Sequence, residues 1–441
     1  MSRVSFVLIT TIALCCVASS HAEEFTTLPH QGCPMAHCTR HLANMVRVVA
    51  PEVGSIARYD ALSDGSNKGL GCSSNKSVVA CSFNAATPPN LIVYDANGLR
   101  VFEDSSGILN SSAYTSAPIV FESGKVLAAD DTNLVLFHED GTLAWKSAKP
   151  DSSDPLSPIL IRADIVMLAT SEGGTMSTWD LRNGKLLSTY RLSRPQECGD
   201  YDTVNTPTAD GTRAYVLVNC HADPSKGGLV AIDVDVTTDA RGTMTPAWFF
   251  AFTGPSGASP MFYGGALFFD GVNPRDSTQG VFMGVKDLGT SPQLIWSREF
   301  SSVFAAGAAK DPTGGIWVFP KSTPNLYRLN EPDGAILQTI TLEPLPGTVG
   351  PYQASSALSM SLTSTGDPVL MFGITSQTSG EPAAVMAQNV ATNTTLWQTT
   401  ITFNDDGNDT AAQFPIVWNS EGLPRVVFPG SKFGTFFLGQ P

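Results

Sequence analysis

Two cysteines, two histidines and a methionine fall within the ten residues GCPMAHCTRH, Gly32 to His41. Such side chains can carry a haem, bind a metal or close a disulfide, and their spacing separates the three uses. Covalent haem attachment needs C-x-x-C-H, whereas here four residues separate Cys33 from Cys38 and Thr39 follows the second cysteine. A zinc finger needs a second ligand pair at a defined distance, and the next cysteine is Cys72. Copper suits the set better, because His30, Met35, His37, His41 and Met45 supply imidazole and thioether donors. HCTRHLANMVRVV reads as the start of a short amphipathic helix, which would put His37, His41 and Met45 on one face at i, i+4 and i+8. In an oxidising compartment, however, Cys33 and Cys38 would close a short loop shaped by Pro34, and that helical face would pack on the rest of the chain. The disulfide knot is the favoured reading; a copper site through Met35, His37, His41 and Met45 is the alternative.

The leader supports the oxidising compartment. Residues 1–22 begin with one basic residue, run through an apolar stretch and end in Ser20-His21-Ala22, the pattern of a cleaved secretory signal. No later run approaches the ~18 apolar residues of a transmembrane helix. Cleavage removes Cys15 and Cys16 and leaves Cys33, Cys38, Cys72, Cys81, Cys198 and Cys220. An even count in an exported chain predicts disulfides. We expect sequential pairing, 33 with 38, 72 with 81 and 198 with 220, because each pair brackets a short turn-like segment. With 40 acidic against 26 basic residues, a net charge of −14, nucleic acid and anionic membranes are poor partners. Four N-x-S/T sequons, at Asn75, Asn110, Asn393 and Asn408, would be candidates for N-glycosylation in a eukaryotic secretory pathway.

Elsewhere concentrated chemistry is scarce. The sequence has no G-x-S-x-G elbow, no H-E-x-x-H, no P-loop and no dinucleotide fingerprint. His138 and His221 are the histidines beyond the N-terminal cluster, and His138 falls on a strand turn, where a solvated role is expected. No catalytic residue is assigned.

The elements that must position any site are strands. Low charge (15%), 39 glycines and 30 prolines describe an all-β chain with frequent turns, and no linker divides it. Strand, aspartate turn and aromatic restart recur in LIVYDANGLRVFED, LVLFHEDGTLAWKS, MSTWDLRNGKLLSTY, VFMGVKDLGTSPQLIWS and LYRLNEPDGAILQTI. Turns near Asp95, Asp140, Asp180, Asp233, Asp287, Asp333 and Asn389 recur at roughly 40 to 60 residues, the period of a four-stranded propeller blade. Pro118, Pro158, Pro207, Pro260 and Pro415 open an apolar strand in their units, a position where no ladder donor is lost. Seven blades follow, near 72–105, 113–147, 157–191, 203–252, 257–300, 303–341 and 352–402. An eighth has three strands, QFPIVW, RVVFPG and GTFFLGQ, and no outer one after them. SIARYDAL or MVRVV is expected to supply it, so that the N-terminal segment closes the ring and leaves no bare edge. The expected organisation is thus a signal at 1–22, a Cys/His/Met-rich segment at 23–50 and a single, monomeric propeller at 51–441.

This arrangement resembles the quinoprotein-like, or PQQ-like, eight-bladed propellers. WDLRNGKLLSTY carries the resemblance best: Asp180, Gly184 and Lys185 match the family's aspartate-x-x-x-glycine-lysine turn, with Asn183 in place of the usual threonine. Trp145, Trp248, Trp296 and Trp397 match its aromatic position. Dehydrogenases of that family would imply PQQ with calcium, held by two adjacent cysteines over the quinone and a calcium cluster with a catalytic aspartate. The adjacent cysteines here, Cys15 and Cys16, lie in the leader. The resemblance also covers non-enzymatic members, such as the propeller lipoprotein of the bacterial outer-membrane assembly machine, which bind proteins through blade surfaces. A secreted binding or scaffold protein without a cofactor is the reading we favour, with a quinone-dependent enzyme or a copper protein as alternatives.

In this architecture the b–c loops share one mouth of the channel with the d–a loops. Asp130, Asp131, Glu172, His221, Asp223, Asp270, Asn273, Arg275, Lys321 and Lys432 would then ring one face, a surface for a protein or small-molecule ligand.

Overall fold

The computed structural model describes residues 33, 35–39, 45–62, 68–84, 88–109, 116–192, 198, 200–304, 307–343, 352–376, 383–403, 407–408, 415–420, 423–430 and 434–440. Among these there is no α-helix, and the strands form eight sheets. Apolar runs bounded by aspartate and glycine turns account for the regularity. In the second unit Ile119–Val120, Val126–Ala129, Asn133–Phe137 and Leu143–Ala148, strands a to d, pair antiparallel in chain order. Strands a and b are buried throughout and c nearly so, whereas d alternates between exposed and half-buried positions. Strand a therefore stands at the axis and d at the rim.

Apolar clusters fill the spaces between neighbouring sheets. Val93 of the first unit meets Val120 and Val135 of the second, and the pattern continues around to Met371, Phe436 and Phe83, which join the seventh, eighth and first. The result is a closed eight-bladed β-propeller. In the last blade Ile416–Ser420, Leu423–Pro429 and Gly434–Gly439 receive Ile56–Ala61 as their outer strand, with Ile56 opposite Leu438 and Ala61 opposite Gly434. Closure removes an edge that would otherwise present unpaired backbone groups. Blade one clasps the closing strand: Tyr94 and Arg100 both donate to Asp60, at 2.9 and 2.8 Å. Burial, then the Asp60 charge, raises the Tyr94 hydroxyl well above its ordinary value, so it remains a donor.

The repeated turn has a mechanical reason. Trp145, Trp296 and Trp397 donate their indole N–H to Leu181, Glu331 and Pro51 carbonyls of the following blade at 2.9, 2.7 and 2.8 Å. Each ring lies over the turn glycine there. At Gly184 (φ +69°) an added Cβ would stand 2.5 Å from the Trp145 ring, and at Gly334 (φ +66°) 2.5 Å from Trp296. Only glycine combines that backbone with that approach. A register shift just before each tryptophan turns the ring inward and leaves Leu143, Leu294, Ile295 and Leu396 facing solvent.

Three expectations change. HCTRHLANMVRVV does not begin a helix among the described residues: His37 and Cys38 have φ of +59° and +68°, and Met45–Val49 is a strand. Its β-branched run pairs parallel with Ser359–Leu362, the inner strand of blade seven, which thereby gains a strand beyond the antiparallel four. MVRVV therefore packs at the axis, and SIARYDAL is the segment that closes the ring. In blade four the turn carboxylate is Asp235, which accepts from Thr237 N–H at 2.7 Å, while Asp233 pairs with Arg213.

Candidate functional site

The axis of the ring is taken by the chain's own N-terminal segment. Cys33 and Cys38 form a disulfide, and both are buried. Cys33 exchanges hydrogen bonds with Ser74 of blade one: its N–H donates to the hydroxyl at 3.0 Å and its carbonyl accepts from the amide at 2.6 Å. Met35, fully buried, packs among Ile119, Phe121 and Leu160 of blades two and three. Nε2 of His37 lies 3.1 Å from the Ser259 hydroxyl of blade five. Ser361 of blade seven donates to the Val48 carbonyl. Residues of five blades thus contact this segment.

Residues of blades two to four surround a cleft of about 350 Å³ lined by Asp151, Ser153, Glu172, Gly173, Thr175, Arg191, Asp200, Asp202 and His221. The Cys198–Cys220 disulfide fixes the connection leading into blade four against the end of its second strand. His221 N–H then donates to the Asp200 carbonyl at 3.0 Å, and its Nδ1 lies 2.9 Å from Asp202 Oδ2. That hydrogen bond, then the Asp202 charge, raises the His221 imidazole above its ordinary value. Arg191 bridges Asp200 at 2.9 Å and the Gly173 carbonyl at 3.2 Å. On the other wall Lys149 is buried and donates to the carbonyls of Asp130, Asp131 and Ser153 at 3.1, 2.7 and 2.6 Å, which fixes the loop carrying Asp151. Burial lowers the Lys149 ammonium, against the pull of Asp151 and Asp130. Asp154 is raised by burial and then by the Glu172 charge. Four lining carboxylates against one arginine make this a place for a cation or hydrogen-bond donor.

The residues expected at the mouth divide. Glu172 and His221 line the cleft, whereas half-buried Asp223 and exposed Arg275 and Lys321 lie elsewhere on loops. Asp130 is buried and accepts from the amides of Thr132 and Asn133; half-buried Asp131 gives its carbonyl to Lys149. Asp270 is buried beneath Ser256, Gly257 and Ala258, with its carboxyl raised by burial and partly drawn back by those donors. Asn273 is buried and accepts from Arg275 N–H. Lys432 lies outside the described residues. The loop count between strands b and c missed Asp151, in the connection into blade three, Arg191, the last residue of that blade's strand d, and Asp200 and Asp202, at the entry to blade four; the acid-rich runs DSSDP and ECGDYD were the available signal.

The other candidate sets are dispersed. Met35 and Met45 enter different cores, His37 faces Ser259, and His41 lies outside the described residues, as do Asn110 and His30. Cys33 pairs with Cys38, Cys72 with Cys81 and Cys198 with Cys220. A quinone held under adjacent cysteines does not fit these spaced pairs. The described residues include no group of three or more His, Cys, Asp or Glu arranged to hold a metal ion.

No family model and no curated protein matches the sequence. Solved structures match the fold. A europium-containing methanol dehydrogenase superposes with a TM-score of 0.59 at 11% identity, over 93% of this chain and 91% of that one. The quinohemoprotein alcohol dehydrogenase ADHIIG of Pseudomonas putida HK5 does so at 0.52 and 9%, over 93% and 80%. Identities this low establish a shared architecture and no activity. The class that fold and neighbours define is a β-propeller.

Proposed function

We propose that the chain is an exported binding protein that takes a cationic group of its partner in the cleft between blades three and four. The observation that carries this reading is the cleft's lining, Asp151, Glu172, Asp200 and Asp202 against Arg191, while Met35, the Cys33–Cys38 knot and Met45–Val49 pack on inner strands of the ring. Disulfides and the leader support export. Titration calorimetry with a trilysine peptide tests it. Binding is expected, and replacing Glu172 and Asp151 together by Gln and Asn should weaken it by about tenfold, roughly 1.4 kcal/mol. Undetectable binding, or binding indifferent to the double variant, would sink the proposal.

The cleft should also respond to pH. His221 is protonated below its raised value and then adds positive charge beside the ligand, so affinity should rise as pH increases through a midpoint above the ordinary ~6.5. His221→Gln should flatten that rise; an unchanged profile would remove His221 from the site.

Quinone-dependent oxidation is the competing reading, supported by the architecture shared with the methanol dehydrogenase. Purified protein incubated with pyrroloquinoline quinone and Ca²⁺ is expected to show no dye-linked oxidation of alcohols or sugars. Robust turnover would reverse the choice.

A further inference from the structure

We infer that the folded chain presents Asn393 for an N-linked glycan, and that Asn75 is sealed against one. The two sequons are alike in sequence, Asn393-Thr394-Thr395 and Asn75-Lys76-Ser77, and opposite in setting. Asn75 is 2% exposed. Its amide nitrogen donates to the Phe121 carbonyl of the next blade at 2.8 Å, while its oxygen accepts from the amides of Ser77 and Val78 at 2.7 and 2.8 Å. A sugar on that nitrogen would take the place of the bond between blades one and two and would have no room there. Both requirements oppose a native blade interface carrying a glycan at Asn75.

Asn393 stands at the tip of the turn between Ala383–Asn389 and Thr394–Phe403 in blade seven, within a run of six exposed residues, 391–396. Its φ of +57° is the left-handed conformation that asparagine tolerates. The turn is tied by Asn389, which accepts from Ala391 and Thr392 at 3.0 and 3.1 Å. Turns between strands c and d lie on the face opposite the b–c loops, so a glycan there leaves the acidic cleft uncovered.

The chemistry is a group transfer from a lipid-linked oligosaccharide pyrophosphate. The Asn393 amide nitrogen forms a bond to the anomeric carbon as that carbon's bond to the pyrophosphate oxygen breaks; the amide loses one proton and nothing is oxidised or reduced.

Secretion of the full chain from cultured insect cells, followed by glycosidase treatment and peptide mass mapping, tests both halves. Deglycosylation should convert Asn393 to Asp in most of the secreted protein and leave Asn75 unchanged. Asn393→Gly keeps the left-handed turn without strain and should abolish that glycopeptide while the protein is still secreted and folded. Ser77→Ala destroys the other sequon while sparing every Asn75 bond, and should leave the glycan pattern of the secreted protein as it was. An unmodified Asn393 in folded, secreted protein would overturn the proposal, as would a glycan at Asn75 in that same fraction.

Discussion

A chain lacking residues 1–61 is expected not to fold as a monomer. That deletion removes the segment at the axis and the outer strand Ile56–Ala61, and it leaves the Gly434–Gly439 strand, GTFFLG, without its neighbour. It also takes the Pro51 carbonyl that accepts from Trp397 and the Asp60 carboxylate that holds Tyr94 and Arg100. Six residues of sheet pairing, an indole site and a buried disulfide loop are together comparable with the ~5 to 15 kcal/mol by which an ordinary domain is stable. The bare apolar edge should then drive association. Size-exclusion chromatography and thermal melting read the outcome. A peptide spanning residues 45–62 added in trans should partly restore the monomer, because strand addition supplies the missing backbone partners. A truncated chain that remains monomeric and melts where the full chain does would contradict this account of ring closure.

Asp287→Asn should be the most damaging substitution among the charged residues between blades. Its carboxylate, 9% exposed, accepts from Tyr215 hydroxyl at 2.7 Å, Trp248 indole N–H at 2.9 Å and Arg213 at 2.9 Å, tying blade four to blade five. Burial pushes the Asp287 carboxyl up, but the hydrogen bonds from Tyr215, Arg213, Gly289 and Trp248 outweigh it and hold the group below its ordinary value. The loss should cost about 3 kcal/mol, the low end for a buried pair, because Tyr215 and Trp248 lose a charged acceptor while Arg213 keeps Asp233 and the Gly289 carbonyl. The sign for pH follows. A depressed carboxyl stabilises the fold fully above the ordinary aspartate range, about 3.9, and loses that contribution as pH falls through its lowered value. The variant should melt earlier at neutral pH and show a shallower loss of stability in acid. Tyr215→Phe should cost less, about 1 to 3 kcal/mol, because it removes a single donor. Equal stabilities of Asp287→Asn and the parent at neutral pH would show that the network is idle.

How much of this was legible depended on whether a feature is local. The aspartate turns, Gly184 and the tryptophans could be read because turn geometry and one docked ring repeat from blade to blade with the same residue types. The three disulfides were legible for the same reason, since each joins cysteines 5, 9 or 22 residues apart. The helix expected from His37 onward was misjudged because its periodicity was weighed without the open strand edge of Ser359–Leu362, more than 300 residues away, to which Val46 and Val48 belong. Likewise Asp130, Asp270 and Asn273 looked like surface polar residues by their loop positions, yet they are buried acceptors that shape turns.

The sequence by itself determined the all-β class, the repeat of about eight units, the cysteine pairs and a closing strand near residue 60, because each rests on short-range spacing and on the need to pair a free edge. Tertiary structure alone decided what occupies the axis and which charges share a cleft. Those outcomes depend on blades that meet only when the ring closes: Met35 finds Ile119 and Leu160, His37 finds Ser259, and Asp151 and Arg191 come to lie beside Asp202 and His221 through packing that no local pattern records.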